Sequence, residues 1–213
     1  MKPLFPPWSN SVFRWALGVI AVGVVAVPSA AMIFVRTPYV TGEGEPVVQP
    51  VMFDHRHHVR DDGIDCRYCH HTVEKDSYAS VPAASVCMGC HAQVWSDSPL
   101  LEPVRRAWFD EKPLAWEEVD RLPDFVYFDH SIHVKKGVGC VVCHGRVDRM
   151  ARLWQARSLS MSFCLDCHRN PEGHLREPDR VTDLWSPPPA DKQHALAASL
   201  DVRPPTNCSG CHR

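Results

Sequence analysis

The most apolar part of the chain is a run of 21 uncharged residues from position 15 to position 35, with an arginine on each side. At a helical rise of about 1.5 Å per residue, such a run can cross the hydrocarbon core of a bilayer. Trp8, Trp15 and Tyr39 stand where an interfacial aromatic belt is expected. The pattern predicts one transmembrane helix, and residues 1–36 are assigned as an N-terminal membrane anchor.

A cleaved signal peptide is the alternative interpretation, because residues 29–31 are small enough for a cleavage site. The apolar run continues past that site to Val35 and exceeds the apolar core of a typical signal peptide, about 7 to 15 residues. A retained anchor is therefore favoured. Residues 37–50 contain Gly and Pro without apolar periodicity and are predicted to be a linker.

The remaining residues, 51–213, show little sustained helical or strand periodicity. A short helix is predicted with Leu101, Val104 and Trp108 on one face, and another over residues 191–200. Proline accounts for 19 of 213 residues, nearly twice the roughly 5% of an average chain. These few apolar segments are not enough to form an ordinary hydrophobic core. Something other than side chains is therefore expected to fill the interior.

The cysteines indicate what fills the interior. All ten fall into five Cys-x-x-Cys-His motifs, called motifs 1 to 5 in chain order, and none is left over. The two thiols of such a motif add to the vinyl groups of haem, and the histidine binds the iron from the proximal side. The motifs are Cys66, Cys69 and His70; Cys87, Cys90 and His91; Cys140, Cys143 and His144; Cys164, Cys167 and His168; and Cys208, Cys211 and His212. Five covalent c-type haems are therefore predicted.

Two other uses of cysteine fit less well. Five disulfides would not require cysteines three positions apart with histidine always next. Structural zinc commonly uses two Cys-x-x-Cys pairs per ion, so five pairs would leave one unmatched.

A repeat organises the haem motifs. The pattern Phe-Asp-His-x-x-His occurs at residues 53–58, ahead of motif 1, and again ahead of motif 3 at residues 128–133. The chain is interpreted as a dihaem repeat, residues 51–97 and 126–172, with a fifth haem at residues 205–213. The predicted fold is that of a class III-like multihaem cytochrome c, with low regular secondary structure and short helices around a haem core.

Thirteen histidines are present, five of them proximal, so eight candidates compete for five distal positions. His55 and His130 are predicted to bind the haem of the motif that follows them. His58 and His133, three residues further on, would share a helical face with them and bind a second haem. His71 follows the proximal histidine of motif 1 directly and would bind a different haem.

His57, His174 and His194 are expected to be surface histidines. Met161 is the main competitor for a distal position, and a methionine ligand would raise the potential of one haem. Met161 as a plain apolar side chain beside the fourth haem is the simpler interpretation. The proline-rich residues 172–207 are predicted to form an extended arm, used either for subunit contact or to cover the fifth haem.

The sequences CRYCHH at 66–71, LPDFVYF at 122–128 and MSFCLDCHR at 161–169, with the anchor and the paired Phe-Asp-His-x-x-His segments, resemble the pentahaem subunit of alternative complex III. The likeness covers about residues 12–172. It implies a quinol-oxidising membrane complex in which an iron–sulfur subunit and polytopic quinol-binding subunits precede the haems. A monohaem cytochrome c or a terminal oxidase would accept the electrons.

Closed irons with two protein ligands favour an electron relay over a catalyst. A stand-alone, membrane-anchored quinol dehydrogenase is the alternative, and an oxyanion reductase with an open haem is a weaker one. Since haem is attached outside the cytoplasmic membrane in bacteria, the haem domain is expected on the periplasmic side and the N-terminus in the cytoplasm. The formal net charge is −2 without a long run of like charge, so no nucleic-acid partner is expected.

Overall fold

The computed structural model describes residues 4–186 and 190–212. It divides into two compact units, one ending at Gly42 and the other beginning at Glu43. The α-helices are α1 Ser9–Phe34, α2 Pro38–Thr41, α3 Cys66–Cys69, α4 Ala84–His91, α5 Glu102–Phe109, α6 His130–Lys135, α7 Cys140–His144, α8 Met161–Arg169 and α9 Gln193–Ser199. A π-helix spans Arg56–Asp61, and 3₁₀-helices span Pro99–Leu101, Val147–Arg149, Glu172–His174, Pro178–Arg180, Ala190–Lys192 and Cys208–Gly210.

The predicted apolar helix is present as α1, which begins at Ser9 and runs for 26 residues. Its length is about 39 Å at the usual helical rise, more than the roughly 30 Å of a bilayer core. Pro28 lies inside it, and the Ser29 hydroxyl donates to the Val25 carbonyl one turn earlier at 2.8 Å. Serine bonding of this kind helps to support a proline-containing turn in an apolar helix. By length and composition α1 can cross a membrane.

The second unit has little apolar core of its own. Among the described residues, eight hydrophobic side chains are buried: Val51, Ala84, Val104, Val134, Met150, Leu175, Val181 and Leu184. One cluster joins Val51, Ala84 and Val104, with Leu101 and Trp116 packed against it. The scarcity of buried apolar residues agrees with the expectation that side chains alone do not fill the interior.

Within the described ranges, β-structure is limited to isolated bridges and no strand forms. The N–H groups of Gly44 and Val47 donate to the carbonyls of Gln155 and Leu153, both at 2.9 Å. The segment predicted to be a linker therefore contains a short helix, α2, and its residues from Glu43 onward belong to the second unit.

The two short helices expected between and after the repeats are present as α5 and α9. The Ser98 hydroxyl accepts from the Leu100 N–H at 3.3 Å and starts the turn that leads into α5. Val104 is 1% exposed and anchors the apolar face, whereas Trp108 is 46% exposed and lies at its edge. In the C-terminal arm, the prolines at 187–189 lie outside the described residues.

Candidate haem sites

The haem motifs lie on short helices: α3, most of α4, α7, α8 and the 3₁₀-helix Cys208–Gly210. Cysteines three positions apart lie on one face of a helical turn, so both thiols of a motif point the same way. All ten thiols are free. Nowhere in residues 4–186 and 190–212 do three or more His, Cys, Asp or Glu side chains gather around a common metal point. The structure therefore favours neither disulfides nor zinc clusters.

Four proximal histidines are oriented by a hydrogen bond at Nδ1. Each acceptor is a carbonyl or carboxylate oxygen, which cannot donate, so Nδ1 carries the proton and the Nε2 lone pair is available to a metal. The bonds run from His70 to the Ser80 carbonyl at 2.7 Å, from His91 to the Val94 carbonyl at 2.9 Å, from His144 to Asp120 Oδ2 at 2.7 Å, and from His168 to the Pro205 carbonyl at 2.7 Å.

The two Phe-Asp-His-x-x-His segments have nearly the same internal geometry. Phe53 stacks on His58 with ring centroids 4.3 Å apart and meets His55 edge-on at 4.7 Å. In the second segment, Phe128 stacks on His133 at 4.6 Å and meets His130 edge-on at 4.7 Å. The phenylalanine of each segment thus contacts both imidazoles.

The aspartate of each segment starts the helical turn and orients the second histidine. Asp129 Oδ1 accepts from the Ser131 N–H at 2.8 Å, as an N-cap does, while the Asp129 carbonyl accepts from His133 Nδ1 at 2.6 Å. In the first segment the Asp54 carbonyl accepts from His58 Nδ1 at 3.1 Å. The two histidines of each turn are therefore held separately and can serve two different metals.

Three histidine pairs have ring centroids at about the separation that a shared iron requires. With metal–nitrogen bonds of about 2.0 Å on each side, two axial imidazole rings have centroids roughly 6.3 Å apart. The observed pairs are His58 with His91 at 6.1 Å, His130 with His144 at 6.3 Å and His133 with His168 at 6.2 Å. The angles between ring planes are 64°, 5° and 39°, respectively. Each pair joins a distal candidate to a motif histidine.

His55 and His70 line one cavity of about 830 Å³, together with cysteines of motifs 1 and 3. That volume is in the range of sites for large organic ligands. His55 Nδ1 is buried without a hydrogen-bond partner. Burial, reinforced by the nearby His70 and His58, lowers the pKa of His55 to about 4. His55 is therefore neutral at physiological pH, which is the form that ligates a metal.

The motifs form a row that differs from their order in the chain. Burial and the adjacent thiols of Cys87 and Cys66 raise the pKa of the Cys69 thiol, so motif 2 lies beside motif 1. Cysteines of motifs 1 and 3 line the same cavity, and the neighbouring Cys140 thiol lowers the pKa of Cys66, so motif 1 lies against motif 3. Burial and the adjacent Cys167 raise the pKa of Cys143 to about 12, so motif 4 follows motif 3.

Motif 5 completes the row next to motif 4. Burial and the adjacent Cys211 raise the pKa of the Cys164 thiol. The Pro205 carbonyl, just ahead of motif 5, is the acceptor for His168. The spatial order of the motifs is thus 2, 1, 3, 4, 5, which the sequence did not reveal.

The fifth motif differs from the others. The ring of Phe125 lies 5.8 Å from that of His212, and the Tyr127 N–H donates to the Cys211 carbonyl at 2.7 Å. His71 is exposed. Among the described residues, the rings close to His212 do not include His71, so the structure does not bring these two predicted ligands together.

The histidines expected at the surface are found there or at its edge. His57 is exposed, with Nε2 3.5 Å from Asp62 Oδ2, and His194 is exposed and hydrogen-bonded to Glu172 at 2.9 Å. His174 is half-buried. Met161, the competing sulfur ligand, is 65% exposed at the start of α8.

Comparison with known families agrees with this arrangement. Residues 126–213 match the family described as cytochrome c7 and related cytochrome c, and residues 32–115 match the class III cytochrome c family. The chain has class III and c7 multihaem cytochrome c domains. Cytochromes c of these families carry covalently bound haem iron, and the histidine pairs and the cavity between motifs 1 and 3 suit that group. The predicted fold class is thereby confirmed.

One curated relative comes from Nitratidesulfovibrio vulgaris and is named menaquinone reductase, multiheme cytochrome c subunit. This cytochrome is 28% identical to it over 152 residues, which covers 60% of the cytochrome and 70% of the relative.

Proposed function

We propose that this cytochrome is a membrane-anchored electron-relay subunit with one haem on each of its five motifs. The observation that carries the proposal is the set of paired imidazoles 6.1 to 6.3 Å apart, each joining a Phe-Asp-His-x-x-His histidine to a motif histidine. Bound haem iron would supply reversible one-electron chemistry. The chain's own contribution is to hold the ligands and to keep water and substrates from the irons.

The proposed axial pairs follow the repeat. The first histidine of each segment serves its own motif, giving His55 with His70 and His130 with His144. The second histidine serves the next motif, giving His58 with His91 and His133 with His168. For motif 5 we propose the pair His212 and His71. This pair rests on the number of histidines that remain and not on an observed contact, because the ring beside His212 is that of Phe125.

Two ligands on every iron leave no position for a substrate, which argues for a relay over a catalyst. The row of motifs 2, 1, 3, 4, 5 supports this role because each motif lies next to the following one, and motifs 2 and 5 are its ends. A partner that gives electrons and one that takes them can then dock at opposite ends of the row.

The partners are proposed from two likenesses. The relative's name refers to a menaquinone reductase, and the resemblance in residues 12–172 is to a subunit of alternative complex III. Both point to electron transfer linked to quinone. We propose an iron–sulfur subunit and polytopic quinone-binding subunits as partners, with α1 in the cytoplasmic membrane, the N-terminus in the cytoplasm and the haem unit in the periplasm. A monohaem cytochrome c or a terminal oxidase would be the acceptor.

A stand-alone quinol dehydrogenase is the second candidate, favoured only by the apolar helix α1. Such an enzyme needs a haem close to the membrane. Thirty residues separate Val35 from Cys66, the first haem-binding cysteine, which counts against this candidate.

Purification in mild detergent separates the two candidates. We expect the cytochrome to co-purify with an iron–sulfur subunit and polytopic subunits, and its haems to be reduced by menaquinol only in that complex. The matched control is the same chain after dissociation from the complex, which should keep its haems but lose reduction by menaquinol. Menaquinol oxidation by the isolated chain at the rate of the complex would contradict the subunit proposal.

A further inference from the structure

Asp120 distinguishes His144 from the other anchored motif histidines. His70, His91 and His168 donate from Nδ1 to backbone carbonyls, which are neutral acceptors. His144 donates instead to a carboxylate oxygen, Asp120 Oδ2, at 2.7 Å. A charged acceptor makes a stronger hydrogen bond and makes the imidazole more basic.

The charge on Asp120 is not neutralised by a neighbouring cation. In the described ranges its ion-pair partner is His144, and no Lys or Arg pairs with it. Two arginines of this region are directed elsewhere, Arg121 to the Glu118 carbonyl and Arg157 to the Val142 carbonyl. Asp120 Oδ1 is buried without a hydrogen-bond partner, so the negative charge bears mainly on His144.

The loop that carries Asp120 is fixed from a buried residue. Gln155 is 4% exposed, and its Oε1 accepts from the N–H of Arg121, the residue after Asp120, at 3.3 Å. Gln155 Nε2 in turn donates to the Arg157 carbonyl at 2.8 Å. The carboxylate is therefore held against His144 by the fold.

We propose that Asp120 is a positioning residue that lowers the reduction potential of the haem on motif 3, the middle of the row. The inference rests on the proposed function, in which His144 is an axial ligand. A more basic, electron-rich imidazole stabilises ferric iron over ferrous iron. The middle haem of the relay then has a lower potential than it would have with a neutral acceptor at His144.

The test is a spectroelectrochemical titration of the complete cytochrome, in its complex, with Asp120→Asn. Asparagine has nearly the same size, and its side-chain oxygen can still accept from Nδ1, but the charge is gone. We expect one of the five Nernst components to shift to a higher potential. The shift corresponds to about a tenfold change in the equilibrium constant for reduction of that haem, which is about 59 mV for a one-electron couple. The other four should move much less. Asp124→Asn, which removes an exposed carboxylate four residues away, is the matched control and should leave all five in place.

Asp120→Ser is a second neutral variant. An upward shift of a single component in either variant supports the proposal. Unchanged potentials, or a uniform shift equal to that of Asp124→Asn, overturn it. Loss of a haem from both variants marks Asp120 as a structural residue and also overturns it. The mass of the parent protein shows how many haems it carries. A parent with fewer than five haems contradicts the proposed function before any variant is made, whereas the variants test only the role of Asp120.

Discussion

Replacing His58 with alanine is expected to convert one low-spin haem into a five-coordinate, high-spin haem. The ring of His58 faces that of His91 at 6.1 Å and is stacked on Phe53, so its removal opens one side of the metal position at motif 2. An open haem binds carbon monoxide when reduced, whereas a haem with two protein ligands does not readily do so. The measurement is a carbon monoxide titration of the reduced protein, with about one new binding equivalent per chain expected.

His57→Ala is the matched control, since it removes the same side chain from the adjacent position. His57 is exposed, and its ring nitrogens lie 3.9 Å from Asp61 and 3.5 Å from Asp62. The variant should bind no more carbon monoxide than the parent. If His57→Ala opened a haem and His58→Ala did not, the proposed register of the segment would be wrong.

The haem-bearing unit is expected not to fold when haem is absent. Residues 43–213 form a single compact unit, yet only eight hydrophobic side chains in the described part of the chain are buried. The cavity between motifs 1 and 3 would lose the contacts that its walls need. Expression without haem attachment should give a chain that lacks a cooperative thermal transition in circular dichroism, while the holoprotein shows one.

A graded control accompanies that experiment. Replacing Cys208 and Cys211 with serine removes only the haem at the end of the row and should lower the melting temperature of the holoprotein without abolishing the transition. A haem-free chain with the melting behaviour of the holoprotein would contradict the view that haem supplies the interior.

Much of the fold could be predicted because its signals are local. The motif spacing predicts covalent haem, the uncharged run predicts α1, and the recurrence of Phe-Asp-His-x-x-His predicts two equivalent turns. The histidines of those turns lie three residues apart and share a helical face, so helical geometry places them side by side, where they can serve two neighbouring sites. The family matches confirm the class of fold.

The order of the motifs in space could not be predicted, because covalent attachment sets each haem's place along the chain and says nothing about which motifs pack together. The contact between Cys66 and Cys140 joins the two halves of the repeat over a long stretch of sequence.

Asp120 could not be predicted from the sequence for a similar reason. It is one of 25 acidic residues and has no fixed spacing to His144, so only the fold identifies it.

The fifth site is where sequence and structure agree least. The histidine count assigns His71 to it, whereas Phe125 is the ring beside His212. His71→Ala therefore tests one ligand specifically: the proposal expects a single high-spin haem, and an unchanged low-spin spectrum would remove His71 from the ligand set.

The central claim, five haems that all have two protein ligands, is tested most directly by electron paramagnetic resonance of the fully oxidised protein with haem content measured on the same sample. The account predicts five haems per chain and only low-spin ferric signals. Among them should be a rhombic signal from the nearly parallel rings of His130 and His144 and a more anisotropic one from the crossed rings of His58 and His91. A substantial high-spin ferric signal in the intact protein would contradict the relay and favour a catalytic haem.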